Sequence, residues 1–219
     1  MRIAVIGAGR MGQALARLFT GAEHQVVLSN SRGPESLTDL VAELGARVSA
    51  ATVADAVEGS DVTFLATPWP RNADALAQVA DWSGKILVDT TNNRLGPRPE
   101  DVIDLHGRLS SSVVAEQAPG ALVVKAFSHT GIPVFLNALG PAAGEANALF
   151  VAGDDEHAKS VVAGLIADIG GTAVDTGGLE SGGRLQGMGG PLSGHWEMLT
   201  VAQAREKLAA ARAQAGLSS

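Results

Sequence analysis

The chain has 219 residues, 46% hydrophobic and 18% charged, which suits one large folded domain or an ordinary domain with a small appendage and excludes a disordered chain. Its formal charge of -7 argues against a phosphate-coating surface, so no nucleic-acid partner is expected. The lack of cysteine excludes disulfides, thiolate metal sites and cysteine nucleophiles.

In chain order, Ile3 to Ile6 is apolar throughout, as a central parallel strand buried on both faces would be. The run is too short for the core of a signal peptide, and no stretch of about 20 apolar residues follows, so a cytoplasmic protein without membrane contact is expected. Met11, Ala14, Leu15 and Leu18 then repeat at helical spacing, and Gln25 to Leu28 reads as a second strand. A helix is marked by Leu37, Leu40, Val41 and Leu44. Val62 to Ala66 and Lys85 to Asp89 are further strands, separated by a helical segment around Ala73 to Val79.

After a looser stretch from Thr90 to Pro99, Ser110 to Glu116 is predicted helical and Leu122 to Ala126 extended, with a loop over Phe127 to Pro133. Ala148 to Val151 and Thr172 to Val174 are strands, flanking a helix that Asp154-Asp155 starts. Gly177 to Gly194 is glycine-rich, and Trp196 to Leu217 reads as one terminal helix. The alternation predicts an α/β fold, a Rossmann-type doubly wound parallel sheet with a small C-terminal α/β extension and the terminal helix. The expected division is a dinucleotide-binding domain over residues 1–145 and a smaller region for acceptor contact and dimerisation over residues 146–219.

Gly7-Ala8-Gly9-Arg10-Met11-Gly12 leaves the first strand and opens the first helix, the context in which a glycine-rich turn holds a dinucleotide pyrophosphate. Gly7 allows the tight turn, Gly9 the approach of phosphate to backbone, and Gly12 the packing of helix on strand. The helix N-terminus offers N–H groups and the positive end of its dipole. At the next strand end, Ser29-Asn30-Ser31-Arg32 carries no acid. A carboxylate there would bond a ribose 2′-hydroxyl and repel a 2′-phosphate, whereas Asn30, Ser31 and Arg32 can hold the phosphate. NADP(H) is therefore the expected cofactor. The later strand ends Thr67-Pro68-Trp69 and Asp89-Thr90-Thr91-Asn92-Asn93 should line the same crevice, with Pro68 beside the nicotinamide half and Asn92 near its ribose or carboxamide.

These motifs occur in order with Val124-Lys125-Ala126-Phe127, Gly153-Asp154-Asp155, Asp175-Thr176-Gly177, Leu179 and Arg184-Leu185. Together they resemble the NADP-dependent oxidoreductases typified by coenzyme F-420-dependent NADP reductase, over residues 1 to about 190. The reductase domain of the STEAP ferric reductases is similar over the same region. The resemblance implies hydride transfer between NADPH and a deazaflavin, coenzyme F-420, or a flavin as co-substrate, and a homodimer. It also implies that the loop at Ser128-His129-Thr130-Gly131-Ile132-Pro133 walls the acceptor site, although Gly131 interrupts the family's His-Thr-Ile-Pro run. The glycine-rich Gly182 to Gly190 is a second departure, where family members are more helical.

No Ser-His-Asp arrangement and no metal-ligand spacing stands out, so catalysis rests on positioning. His129 is the candidate catalytic side chain, with a structural loop histidine as the equal alternative. His129, Thr130, Ile132 and Met188 are the candidate acceptor contacts, while Met188 and Phe135 also suit plain core packing. Arg94, Arg98 and Arg184 can greet an anionic tail or stand in solvent. Two other functions compete: reduction of a small imine or carbonyl compound, and a non-catalytic NADP(H) sensor acting through a partner. Hydroxy-acid dehydrogenases need a catalytic lysine that Lys207 does not match, and pyrroline-carboxylate reductases need a larger helical C-terminal half.

Overall fold

A computed structural model describes residues 1–96, 98–140, 147–194 and 197–216. Strand β1 (Arg2–Ile6) is followed by α1 (Arg10–Gly21), β2 (Gln25–Ser29), α2 (Thr38–Leu44), β3 (Val48–Ala50), α3 (Val53–Glu58) and β4 (Val62–Leu65). Then come α4 (Asn72–Leu76), β5 (Ile86–Asp89), α5 (Ser110–Gln117), β6 (Leu122–Ala126) and α6 (Ile132–Ala138). The chain finishes with β7 (Asn147–Gly153), α7 (Glu156–Asp168), β8 (Gly171–Asp175), α8 (Ser181–Gln186) and α9 (Val201–Gln214).

One eight-stranded sheet runs in the order β3-β2-β1-β4-β5-β6-β7-β8. Every pairing is parallel except β6 with β7, which is antiparallel. The fold is the expected Rossmann-type α/β arrangement. Its first six strands carry the order 3-2-1-4-5-6, so the strand order reverses between β1 and β4 and opens a crevice at their carboxyl ends.

Burial on both faces explains the apolar runs. Ile3, Val5, Phe19, Phe64 and Val88 pack with α1 and α7 on one side, and Ala4, Ile6, Leu65, Leu76 and Leu87 pack with α3, α4 and α5 on the other. A third cluster joins Ala148, Phe150 and Val174 to Ala204, Leu208 and Ala211 of α9. The apolar stripe of α9 is thus covered by β7 and β8 of its own chain, which leaves Ala202 exposed on the outer face. Lys159 of α7 reaches Asp175 of β8 (2.7 Å) and Glu156 (2.8 Å). Burial opposes its charge, but the two carboxylates more than offset that and hold the amine above its ordinary range.

Five elements depart from the expected pattern. β3 and α3 fall where the sequence suggested nothing; Thr52 caps α3 by accepting from the Asp55 N–H. The loop after β6 is shorter than expected, because Gly131 caps α6 and Pro133 stands in its first turn, where a missing N–H costs nothing. α8 forms inside the glycine-rich stretch. Its glycines allow close packing: a Cβ on Gly182 would come within 2.5 Å of Thr176 Oγ1. α9 starts at Val201, later than expected, because Thr200 and Gln203 form a capping box that fixes its first turn. The expected helix limits Trp196 and Leu217 lie outside the described residues.

Candidate functional site

The site begins at the β1–α1 turn. Gly7 has φ +109°, and its N–H donates to Ser29 O (2.8 Å), tying the turn to β2. A Cβ on Gly7 would lie 2.5 Å from Ala66 O, and one on Gly12 would lie 1.8 Å from Gly7 O. Both glycines are therefore demanded by the protein itself. Gly12→Ala is expected to cost about 1–3 kcal/mol of stability through overpacking, read as a lower urea midpoint with unchanged slope. An unchanged midpoint would contradict the contact.

Gly9 behaves differently. A Cβ there would meet no protein atom within 4 Å, and its φ of -77° is open to any residue. Nothing inside the chain requires glycine at this position, so the open space faces outward onto the cleft. Gln13 N–H gives the first bond back into α1, to Gly9 O (2.9 Å), which leaves earlier N–H groups aimed out of the helix end. The first turn of α1 carries no acid to compete with an anion there.

A cleft of about 440 Å³ opens over this turn, lined by Gly7, Ala8 and Gly9 on one side and by Asn30, Ser31 and Arg32 on another. Asn30 shapes the strand end: its Oδ1 accepts from the Arg32 N–H (2.8 Å), and its Nδ2 donates to Ser36 Oγ (2.9 Å). Arg17, Arg47, Arg71, Arg98, Arg108 and Arg184 each face a carboxylate. Arg10 and Arg32, both exposed at the groove, pair with none among the described residues. The opposite wall is formed by Arg71, Asp74 and Gln78 on and around α4, which the motifs did not reveal.

A second cleft of about 460 Å³ continues from the first, sharing Ala66, Thr67 and Pro68 with it. Arg10, Met11, Trp69, Thr90, Thr91, Asn92, Arg94, Leu95, Gly96 and Ile132 complete its lining. The two clefts form one groove along the carboxyl ends of the central strands, as the topology requires. All the expected cofactor residues except Gly12, which is packed beneath the turn, line one cleft or the other. Asn92 also spans strand ends, its Nδ2 donating to Ser128 O (2.9 Å).

Beneath the shared segment lies a buried polar chain. Lys125 and Asp89, both fully buried, form an ion pair at 2.9 Å, and Lys125 Nζ also donates to Thr91 O. Asp89 Oδ1 accepts from the Thr91 N–H (2.8 Å) and hydroxyl (2.7 Å). Asn72 Nδ2 donates to Thr91 Oγ1 (3.0 Å), and Asn72 Oδ1 accepts from the Thr67 hydroxyl (2.6 Å). The sequence marked Lys125 only as part of a motif and gave no sign of Asn72.

The expected acceptor residues divide. Ile132 lines the second cleft. His129 is buried, with its ring edge-on to Phe150 (5.1 Å) and Phe135 (5.8 Å), and lines neither cleft. Its backbone carbonyl accepts from the Gly194 N–H (2.9 Å), tying the loop to the segment after α8. Thr130 and Met188 are half-buried and also line neither cleft. Phe127, at φ +59°, turns the chain out of β6 and is fixed between Phe64 and Phe135. Arg94 lines the second cleft, whereas Arg98 is tied to Glu100 and Asp101. Hydrogen bonds from the Arg98 side chain and backbone hold the Asp101 carboxyl below its ordinary range.

The fold and groove define a Rossmann-type α/β protein with a ligand cleft at the sheet's switch point. Residues 2–93 match the family model described as NADP oxidoreductase coenzyme F420-dependent. Hypothetical protein SMa0349 from Sinorhizobium meliloti superposes with a TM-score of 0.82 at 39% identity, covering 91% of this chain and 95% of that one. A putative F420-dependent NADP-reductase from Arthrobacter sp. FB24 shares the fold, with a TM-score of 0.70 at 23% identity over 98% of this chain and 95% of that one. Metalloreductase STEAP3 of Rattus norvegicus is 28% identical over 201 residues, 91% of this chain; the chain spans 38% of that relative's length. Over residues 2–93 the chain thus matches the NADP-dependent oxidoreductase family that its motifs resemble. Among the described residues, no helix is long and apolar enough to cross a membrane.

Proposed function

We propose that the chain transfers hydride between NADP(H) and a deazaflavin such as coenzyme F-420, or a flavin-like acceptor. The observation that carries the reading is Gly9, whose missing Cβ meets no described atom and opens onto a groove that ends at Arg32, which pairs with no carboxylate among the described residues. A phosphate-bearing ligand explains both features at once. Ala8, Gly9, Arg10 and Met11 would hold the pyrophosphate by N–H groups at the start of α1, with Arg10's guanidinium beside them. Asn30 would fix the strand end from which Ser31 and Arg32 hold the 2′-phosphate. When bound, the nicotinamide supplies or takes up the hydride.

In this reading Thr67, Pro68, Trp69 and Asn92 orient the nicotinamide end, and Ile132 and Met11 give the acceptor ring an apolar wall. His129 acts through the loop it anchors: its packing between Phe135 and Phe150 supports positioning of Ile132. Arg94 offers a cation for an anionic acceptor.

The test is loss of NADPH absorbance with coenzyme F-420, FMN, FAD, a ferric complex and a cyclic imine in parallel. Turnover with the deazaflavin or a flavin is the expected result. Turnover with the imine alone would replace the acceptor, and tight NADPH binding with no turnover would leave a sensor. Gly9→Ala is expected to weaken NADPH binding about tenfold or more while leaving the unfolding midpoint unchanged. Equal binding by the variant would remove the observation on which the reading stands.

A further inference from the structure

The polar chain from Lys125 to Thr67 permits only one direction of donation. Lys125 can only donate, and Asp89, its buried charged partner, can only accept. The Thr91 hydroxyl must therefore give its proton to Asp89 Oδ1 (2.7 Å) and accept from Asn72 Nδ2 (3.0 Å). That turns the other end of the Asn72 amide, Oδ1, toward Thr67, whose hydroxyl proton it takes at 2.6 Å. Thr67 Oγ1 has no second proton. What it can offer a ligand is lone pairs alone.

Thr67 is also the one polar side chain among the three residues that the two clefts share, between the glycine turn and the end lined by Met11 and Asn92. Asn72, Thr91, Asp89 and Lys125 are all buried, so water does not scramble the direction before it reaches Thr67. A serine or threonine hydroxyl ordinarily serves as donor or acceptor as its ligand demands. Here a buried ion pair three hydrogen bonds away removes the choice.

We propose that Thr67 reads a hydrogen-bond donor on the nicotinamide half of the dinucleotide, with the Lys125–Asp89 pair setting its polarity through Thr91 and Asn72. The donor is the carboxamide N–H₂ or a hydroxyl of the adjoining ribose. The inference rests on the cofactor reading above and adds which face of that cofactor the protein inspects.

Calorimetric titration of the full chain tests it with three probes: NADP⁺, its 3-acetylpyridine analogue, which lacks the carboxamide N–H₂, and an analogue lacking the hydroxyls of the nicotinamide-side ribose. Thr67→Val removes the acceptor at similar volume, and Thr67→Ser keeps it. The valine variant is expected to bind NADP⁺ about tenfold more weakly and the serine variant to stay within about threefold of the wild type. One analogue should bind wild type and Thr67→Val equally, and that analogue identifies the donor. In Asn72→Ala the Thr67 hydroxyl can donate as well as accept, and the disadvantage of the same analogue against NADP⁺ is expected to shrink where that analogue keeps an acceptor at this point. An equal loss for all three probes in Thr67→Val, or no loss, overturns the inference while wild-type NADP⁺ binding keeps the cofactor reading. A wild-type chain that binds no NADP⁺ overturns both.

Discussion

Arg32→Ala is expected to weaken NADPH binding roughly 10- to 100-fold while changing NADH binding by less than about threefold. The figure follows from hydrogen bonds to a charged group, worth about 1.5–3 kcal/mol, at about 1.4 kcal/mol per tenfold. Most arginines with a salt-bridge partner lie away from the groove, whereas Arg32 stands exposed at its rim and pairs with no carboxylate among the described residues. The strand end itself has no acid to repel a 2′-phosphate, and Asn30 is committed to the Arg32 N–H and to Ser36. Arg32→Lys should recover part of the affinity, because the charge remains but the planar fork is lost. Competitive binding measured side by side for the two cofactors decides it. A variant that loses NADH and NADPH equally would show that Arg32 supports the strand end and does not discriminate between them. Raising salt should shrink the difference between the cofactors, since the contact is exposed and screened.

The same contrast between local and distributed signals explains what the sequence made legible. β1, β2, β4, β5 and β6 were readable because strands covered on both faces carry runs of apolar residues broken by few polar ones. The glycine turn was readable because Gly7 and Gly12 answer contacts within a few residues and one neighbouring strand. β3 has only three residues, too few to establish a period, and α3 is only six residues long. Pro133 and the glycines of α8 misled for opposite reasons. A proline in the first turn of a helix looks like a loop residue, and Gly182 disfavours a helix locally while permitting its packing on Thr176. The Arg71, Asp74 and Gln78 wall comes from a short helix without a motif, so only the folded chain brings it opposite Arg32.

The buried polar chain is the clearest case of information that no local spacing carries, and it has a large expected cost. Lys125→Met should lower stability by about 3–5 kcal/mol, the usual consequence of leaving one member of a buried ion pair without its partner. Methionine replaces the volume of the lysine stem, so packing loss is small, and Asp89 is left as a fully buried carboxylate without its cation. Adding Asp89→Asn should recover at least about half of that loss, because the amide carries no charge yet still offers Thr91 an acceptor. Urea unfolding of the two variants, with slopes compared to establish that both remain two-state, measures the difference. A Lys125→Met variant within about 1 kcal/mol of the wild type would mean that Asp89 is satisfied by Thr91 alone. The double variant also separates stability from recognition. The Thr91 N–H holds the amide oxygen at position 89 toward Thr91, so the direction of the hydrogen bonds through Thr91 and Asn72 is kept without the charges. If polarity is what position 89 contributes to the groove, the double variant should keep the preference for NADP⁺ over the analogue that lacks the donor, whatever part of the stability loss remains.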